Sequence, residues 1–249
     1  MSQIAPLYPH PALSVVSDNR KYIVISDLHI GFEYALHAKG IQIDSTYGYK
    51  QMTEEVTSLV SKHQAQAIVL LGDTKHTVGF ISRYEWSAIP EFLSAISKNT
   101  EVYLIPGNHD GNLGLVIPDN INLISTNGMV LGDTLLIHGH TMPSPRQSFI
   151  KRIIMGHLHP TFCKKNSIVN GQRVWLYFKV DKKSIFPNED GIIEIVVVPS
   201  FSSHFDTSQN SVGEGRQLIS PISKRILKNN SVIGSIVVTL DGYVLDYIG

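Results

Sequence analysis

Short apolar runs recur along the chain, and helix-period segments separate some of them. Residues 22–25, 67–71, 102–105, 134–137 and 152–155 predict buried strands. Between the first two, Met52, Val56, Leu59 and Val60 fall at i, i+4, i+7 and i+8, the stripe of an amphipathic helix. Between the second and third, Trp86, Ile89, Leu93 and Ile96 repeat that period. Pro90 suits only a first helical turn, which predicts a start near Ser87. Strand–helix–strand alternation implies βαβ units with parallel strands at the start of a sheet.

After Asn120 the texture changes. Asn127-Gly128 and Gly132-Asp133 are turn signals, and no helical period runs from there to Met142. Residues 174–178, 192–198 and 232–240 predict further strands, and the Ser/Asn/Gly-rich stretch 202–215 predicts a long loop. Neither an internal repeat nor a linker divides the chain, so a single domain over 1–249 is expected. After about residue 184 that expectation rests on strand pattern alone.

The 249 residues, 43% hydrophobic, suffice for a real core and exclude a disordered tail, a collagen-like fibre or a disulfide scaffold. A lone Cys163 cannot form an internal disulfide. The first 20 residues lack a basic start followed by an apolar run. The best apolar stretches, 192–198 and 236–240, fall far short of the roughly 20 residues of a membrane span. The expectation is a soluble, cytoplasmic protein without membrane contact; its oligomeric state is left open.

The chemistry lies where the strands stop. Ligands of open α/β sheets sit at the carboxyl ends of strands. Each of the first five apolar runs leads into a polar cluster: Ser26-Asp27-Leu28-His29, Gly72-Asp73-Thr74-Lys75-His76, Pro106-Gly107-Asn108-His109-Asp110, His138-Gly139-His140 and Gly156-His157-Leu158-His159. One Asp or His after a strand is more often a turn or cap residue than a ligand. Five such clusters in order, converging on one sheet edge, make a metal site. Oxygen and imidazole donors without thiolate suit Mn, Fe, Zn, Co or Ni. In Asp27-x-His29 and His157-x-His159, i and i+2 of an extended segment would point the same way, toward one ion. Gly72 and Gly156 would let the backbone turn sharply beside the next side chain.

That ordered set, D-x-H, G-D, G-N-H-[DE], H and G-H-x-H, resembles the calcineurin-like metallophosphoesterase superfamily from Asp27 to His159. Within it, Gly72-Asp73-Thr74-Lys75-His76 and Gly156-His157-Leu158-His159-Pro160 look most like the archaeal phosphoesterases related to ligase-associated DNA-damage-response endonucleases. The resemblance implies an α/β fold, a two-sheet mixed β-sandwich flanked by helices in four layers, with a dinuclear metal site on one edge. Carried over by position, Asp27, His29, Asp73 and His159 would hold the first metal. Asp73, Asn108, His138 and His157 would hold the second, with manganese ahead of iron, zinc, cobalt or nickel. A hydroxide bridging the two ions would attack phosphorus in line, and His109 would be the catalytic general acid for the leaving oxygen. Where protein phosphatases of this superfamily read G-D-x-x-D-R-G, this chain has His76, Thr77 and Val78 at the last three positions. The phosphate-gripping arginine is therefore missing, which argues against protein phosphatase activity. His76, Asp110 and His140 are candidates for substrate contact or for supporting the ligands. His10, His37, His63 and His204 carry no motif.

Lys+Arg 21 against Asp+Glu 21 would seem to exclude a polyanionic partner, but the charge is uneven. The segment 146–183 holds nine basic residues against Asp181 alone, a net +8. Trp175 and Tyr177 would share a strand face with Arg173 and Lys179, able to stack bases and touch phosphates. The expected activity is hydrolysis of phosphodiester bonds, in nucleic acid bound through 146–183 or in nucleotides. The competing expectations are a phosphomonoesterase or nucleotide phosphatase and, from another class, a non-catalytic scaffold on the same fold.

Overall fold

The computed structural model describes residues 2–41, 45–203, 211–213 and 220–248. The first sheet takes β1 (Gln3–Pro6), β2 (Ala12–Ser17), β3 (Arg20–Ile25), β4 (Ala67–Leu71), β5 (Glu101–Ile105) and β6 (Asn122–Leu123) in chain order. Its first two pairings are antiparallel and the rest parallel. The parallel crossovers carry α1 (Phe32–Ala38), α2 (Ser45–His63) and α3 (Glu85–Ile96), as the alternation predicted. The second sheet adds β7 (Met129–Leu131), β8 (Thr134–Ile137) and β9 (Arg152–Met155). A small two-stranded sheet pairs β10 (Thr161–Cys163) with a later strand. The second sheet then takes β11 (Val174–Asp181) and β12 (Ile192–Val197). The partner of β10 is β13 (Ser211–Gly213). After α4 (Pro221–Lys228), β14 (Val232–Thr239) and β15 (Val244–Ile248) complete the order β15-β14-β11-β12-β9-β8-β7.

Alternation along the strands builds four layers. Leu13, Val24, Val69 and Leu71 of the first sheet meet Ile154, Trp175, Val196 and Val238 of the second. The intervening residues Ile68, Leu70 and Leu104 face Val56, Leu59, Ile89 and Phe92 of α2 and α3. On the far side, Leu176, Val197 and Val237 pack under Ile222 and Ile226 of α4. A strand covered on both faces reads as a continuous apolar run, which is why β4 was legible. The architecture is the α/β two-sheet sandwich with flanking helices.

Several expectations are corrected. The helix predicted near Ser87 begins at Glu85, with Pro90 inside it. Trp86 is 50% exposed, so Ala88 and Phe92 rather than Trp86 complete the buried stripe. The β1–β2 hairpin escaped notice among Pro6, Pro9 and Pro11, and α4 despite its Ser220 capping box with Pro221 in the first turn. Within the loop expected at 202–215, Ser211–Gly213 forms a strand; residues 204–210 and 214–215 lie outside the described residues.

The stacking face is also corrected. Trp175 is 0% exposed and lies between the two sheets, with the half-buried Tyr177 stacked beside it at 6.4 Å. Arg173 spends its guanidinium on the carbonyls of Ser200 and Phe201 at 2.6 and 3.0 Å. Nor does 146–183 form one surface. Leu176 lies level with Val197 and Met155, at the end where His157 follows, whereas Lys179 lies level with Glu194 and Arg152. Lys182 and Lys183 are therefore five or more strand residues, about 17 Å, from that end. Lys164 and Lys165, between β10 and β11, are exposed on its near side.

Candidate metal centre

Five strand ends converge. β3, β4 and β5 of the first sheet deliver Asp27, Asp73 and Asn108, while β8 and β9 of the second deliver His138 and His157. The convergence thus spans two sheets, where one sheet edge had been expected. The i, i+2 pairs are presented differently as well: Asp27 and His29 share one donor cluster, whereas His157 and His159, expected to reach one ion, fall in different clusters. Asp27 (φ 57°), His29 (φ 48°), Asp73 (φ 49°), His157 (φ 68°) and His159 (φ 39°) all have left-handed backbone, beyond the extended strands. The residues between them, Leu28 and Leu158, are buried as apolar plugs. Non-glycine residues in this region are disfavoured by roughly 1 kcal/mol or more each, so neighbours must hold them there.

A ladder between loops does so. The Asp27 N–H donates to the Gly72 carbonyl at 3.1 Å, His29 N–H to Asp73 at 2.9 Å and Ile30 N–H to Thr74 at 2.9 Å. The His157 N–H donates to Asp27 Oδ2 at 3.0 Å, and the His109 N–H to Asp73 Oδ1 at 2.8 Å. Gly156 owes its place to close approach, since a Cβ there would sit 1.7 Å from Ser26 Oγ and 2.6 Å from Asp27 Oδ2. Gly72 combines φ +82° with the His138 ring, 2.2 Å from where its Cβ would stand.

Donor atoms of Asp27, His29, Asp73 and His159 lie within 4.8 Å of one another, and so do those of Asp73, His138 and His157. Asp73 belongs to both clusters. Asn108 Oδ1 is 3.3 Å from His138 Nε2, which brings the fourth predicted residue to the second cluster. The Asp27, His29, Asp73, His138 and His159 side chains are buried. Such clusters of mixed carboxylate and imidazole could hold divalent metal ions.

The electrostatics follow from this crowding. Burial pushes the Asp73 carboxyl up, but His138, His29 and His109 around it hold it far below the usual range. Asp27 is likewise lowered against burial by His159 and His138. Burial pushes His138 down, yet Asp73 and Asp27 raise it to about 9. His29 falls well below its ordinary value through burial and His159, and His157 falls to about 4 through burial and His138.

The remaining candidates divide. His109 gives its Nδ1–H to the His76 carbonyl at 2.5 Å, leaving Nε2 3.9 Å from Asp73 Oδ2. The backbone carbonyl of His76 thus fixes the orientation of the His109 ring. The His76 ring packs against Phe32 at 5.2 Å and His29 at 5.8 Å, and its donors group with those of His29 and His109. Asp110 is a brace: its carboxylate accepts the Gly107 N–H at 2.8 Å and the Lys75 N–H at 3.1 Å. Burial, with Asp73 nearby, pushes its pKa up. The half-buried His140 ring lies tilted beside that of His138, 5.2 Å away. Two residues that sequence reasoning missed are Lys75 and Glu85, both buried beside the site; Lys75 stands in a polar cluster, Gly72-Asp73-Thr74-Lys75-His76, so nothing local marks its burial.

A family model described as calcineurin-like phosphoesterase matches residues 20–191. The chain belongs to that family. Calcineurin-like phosphoesterases are phosphoester hydrolases, and membership together with the buried His/Asp clusters points to divalent metal ions. The fold is similar to that of the Pseudomonas putida nuclease MPE, at 18% identity and a TM-score of 0.58, covering 98% of this chain and 100% of that one. Yfce, a phosphoesterase from E. coli, is similar at 16% identity and a TM-score of 0.43, covering 91% of this chain and 97% of its own. No curated protein matches the sequence. Among the described residues, no helix is long and apolar enough to cross a membrane.

Proposed function

We propose that this calcineurin-like phosphoesterase is a dinuclear-metal-dependent phosphodiesterase of nucleic acid or nucleotides, working as a single domain over 1–249. In this reading Asp27, His29, Asp73 and His159 hold one ion, and Asp73, Asn108, His138 and His157 hold the other. Manganese is the leading candidate, ahead of iron, zinc, cobalt and nickel. The observation that carries the reading is the pair of donor clusters sharing the buried Asp73. The ion-pair partners of Asp27 and Asp73 among the described residues are histidines, weak counter-charges for two buried carboxylates. Divalent cations suit that arrangement.

Bound there, two divalent ions would polarise phosphoryl oxygens and lower the pKa of a water toward neutrality. The chain's own groups do the rest. The Leu71 carbonyl takes the His138 Nδ1–H at 2.9 Å and turns Nε2 toward Asp73 and Asn108. The His76 carbonyl does the same for His109, whose Nε2 would deliver a proton to the leaving oxygen. The nucleic-acid reading draws support from the resemblance of Gly72–His76 and Gly156–Pro160 to archaeal phosphoesterases related to ligase-associated DNA-damage-response endonucleases, and from the nuclease named among similar folds. The lone Cys163 suits a reducing, cytoplasmic setting.

The test is a manganese-reconstituted assay of bis-p-nitrophenyl phosphate beside p-nitrophenyl phosphate. The diester should be preferred, and on a dinucleotide, whose leaving alkoxide needs a proton, His109→Ala should lose about 100-fold or more. Equal rates of wild type and variant would sink the acid role, and a strong monoester preference would move the assignment to a phosphomonoesterase.

A further inference from the structure

The loop after Asp73 is built with unusual care. Glu85, fully buried in the first turn of α3, accepts three of its backbone N–H groups: His76 at 3.1 Å, Thr77 at 2.8 Å and Ser82 at 2.7 Å. Lys75, also buried, donates Nζ–H to the carbonyls of Thr77 and, at 3.0 Å, Phe80. Asn112, three residues after His109, donates to the Gly79 carbonyl at 3.2 Å. Taking two charges out of water is expensive, and here both hold one short loop in place. Yet that loop turns its apolar side chains outward: Val78 is 59% and Phe80 62% exposed. A rigid loop holding its large apolar residues in water suits contact with something outside the chain.

Its position narrows what that is. Phe80 lies four positions after His76, whose carbonyl orients His109, so the Phe80 backbone lies within about 14 Å of it. Arg83 is exposed three residues further on. An exposed aromatic side chain close in sequence to an exposed cation, on a loop that leads out of a phosphoester site, is a combination that can grip single-stranded nucleic acid, the base by stacking and the phosphates by charge. We propose that the Val78–Phe80 tip is a stacking platform for an unpaired nucleobase adjoining the phosphodiester at the metal centre, with Phe80 as the contact. The proposal rests on the phosphodiesterase reading and deepens it by naming single-stranded nucleic acid as the substrate class. It also moves base recognition from Trp175, buried between the sheets, to a residue on the first sheet's side of the site.

Two readouts test it. Fluorescence anisotropy of a labelled oligothymidylate, with metal chelated, reads binding alone. The KM for thymidine 5′-p-nitrophenyl phosphate, relative to methyl p-nitrophenyl phosphate, reads the base at the site. Phe80→Ala should weaken oligothymidylate binding and raise that KM ratio, each about tenfold; Phe80→Trp should restore both and Phe80→Leu should not. Wild-type-like values for Phe80→Ala, full rescue by leucine, or no binding of the oligonucleotide by wild type would overturn the platform. So would a change in self-association on sedimentation in place of the binding defect. If wild type turns over neither ester, the phosphodiesterase reading fails first, whereas turnover with an unchanged ratio in Phe80→Ala removes only the platform.

Discussion

Asp27, His29, Asp73, His157 and His159 sit in a backbone region their side chains disfavour, and the bonds that hold them there run through one another. A change at one should therefore spread. Gly156→Ala would force a Cβ into Ser26 Oγ and the Asp27 carboxylate. The expected outcome is about 1–3 kcal/mol of lost stability in urea unfolding and at least a 100-fold loss of diesterase activity, with the manganese-induced rise in melting temperature abolished. His138 supplies a pH test. In the metal-free protein its pKa is raised to about 9, so its proton stays bound in the folded state well above the ordinary value near 6.5. In the proposed site, where His138 Nε2 ligates the second ion, metal binding would displace that proton below pH 9, so affinity should rise with pH up to about 9 and level off above. Calorimetry at pH 7.5 in two buffers of different ionisation enthalpy should register about one proton released, and a buffer-independent heat would refute it.

At the scale of elements, α3 shows why local rules mislead next to a functional loop. Pro90 alone argues for a start near Ser87, but the helix reaches back to Glu85, where the carboxylate meets the N–H groups of His76, Thr77 and Ser82. Removing it leaves three buried donors unmet, each costing about 1–3 kcal/mol. Glu85→Ala should therefore cost about 3 kcal/mol or more in chemical denaturation, and Glu85→Gln less, because its amide oxygen can still accept from His76 and Thr77 while only the Ser82 N–H loses its acceptor. The strands were legible because two-sided burial writes a continuous apolar run, as in β4 and β9. The β1–β2 hairpin was not, because its prolines read as loop and its partners lie in the tertiary fold.

At the scale of the molecule, the sandwich decides what its surface can offer. Trp175 is part of the seam between sheets, so Trp175→Ala should lose about 3–5 kcal/mol in urea unfolding. Its Nε1–H meets no acceptor among the described residues, so Trp175→Phe should cost far less. Neither should alter the salt dependence of oligonucleotide binding. Strand direction separates the basic residues too. Replacing Lys164 and Lys165 by alanine should lower the slope of log K against log salt by about 1.4 for a single strand, whereas Lys182→Ala with Lys183→Ala should leave it unchanged. Equal effects of the two pairs would restore 146–183 as one surface.

What the sequence determined alone was the ordered set of strand ends and the residue types at them. Apolar runs are dictated by burial, and ligand chemistry admits few side chains, so both leave marks that survive without neighbours. That is why Asp27, His29, Asp73, Asn108, His109, His138, His157 and His159 could be named before any coordinates, and why the structure brings them together. What only the tertiary structure decided was how they meet: across two sheets, on left-handed backbone, with the His76 carbonyl orienting His109. The same holds for which aromatic faces water. Trp175 and Phe80 are both large apolar residues in the sequence, and only the packing of one sheet on the other buries the first while Glu85 and Lys75 hold out the second. A side chain's burial depends on what folds over it, and that information lies in residues far away along the chain.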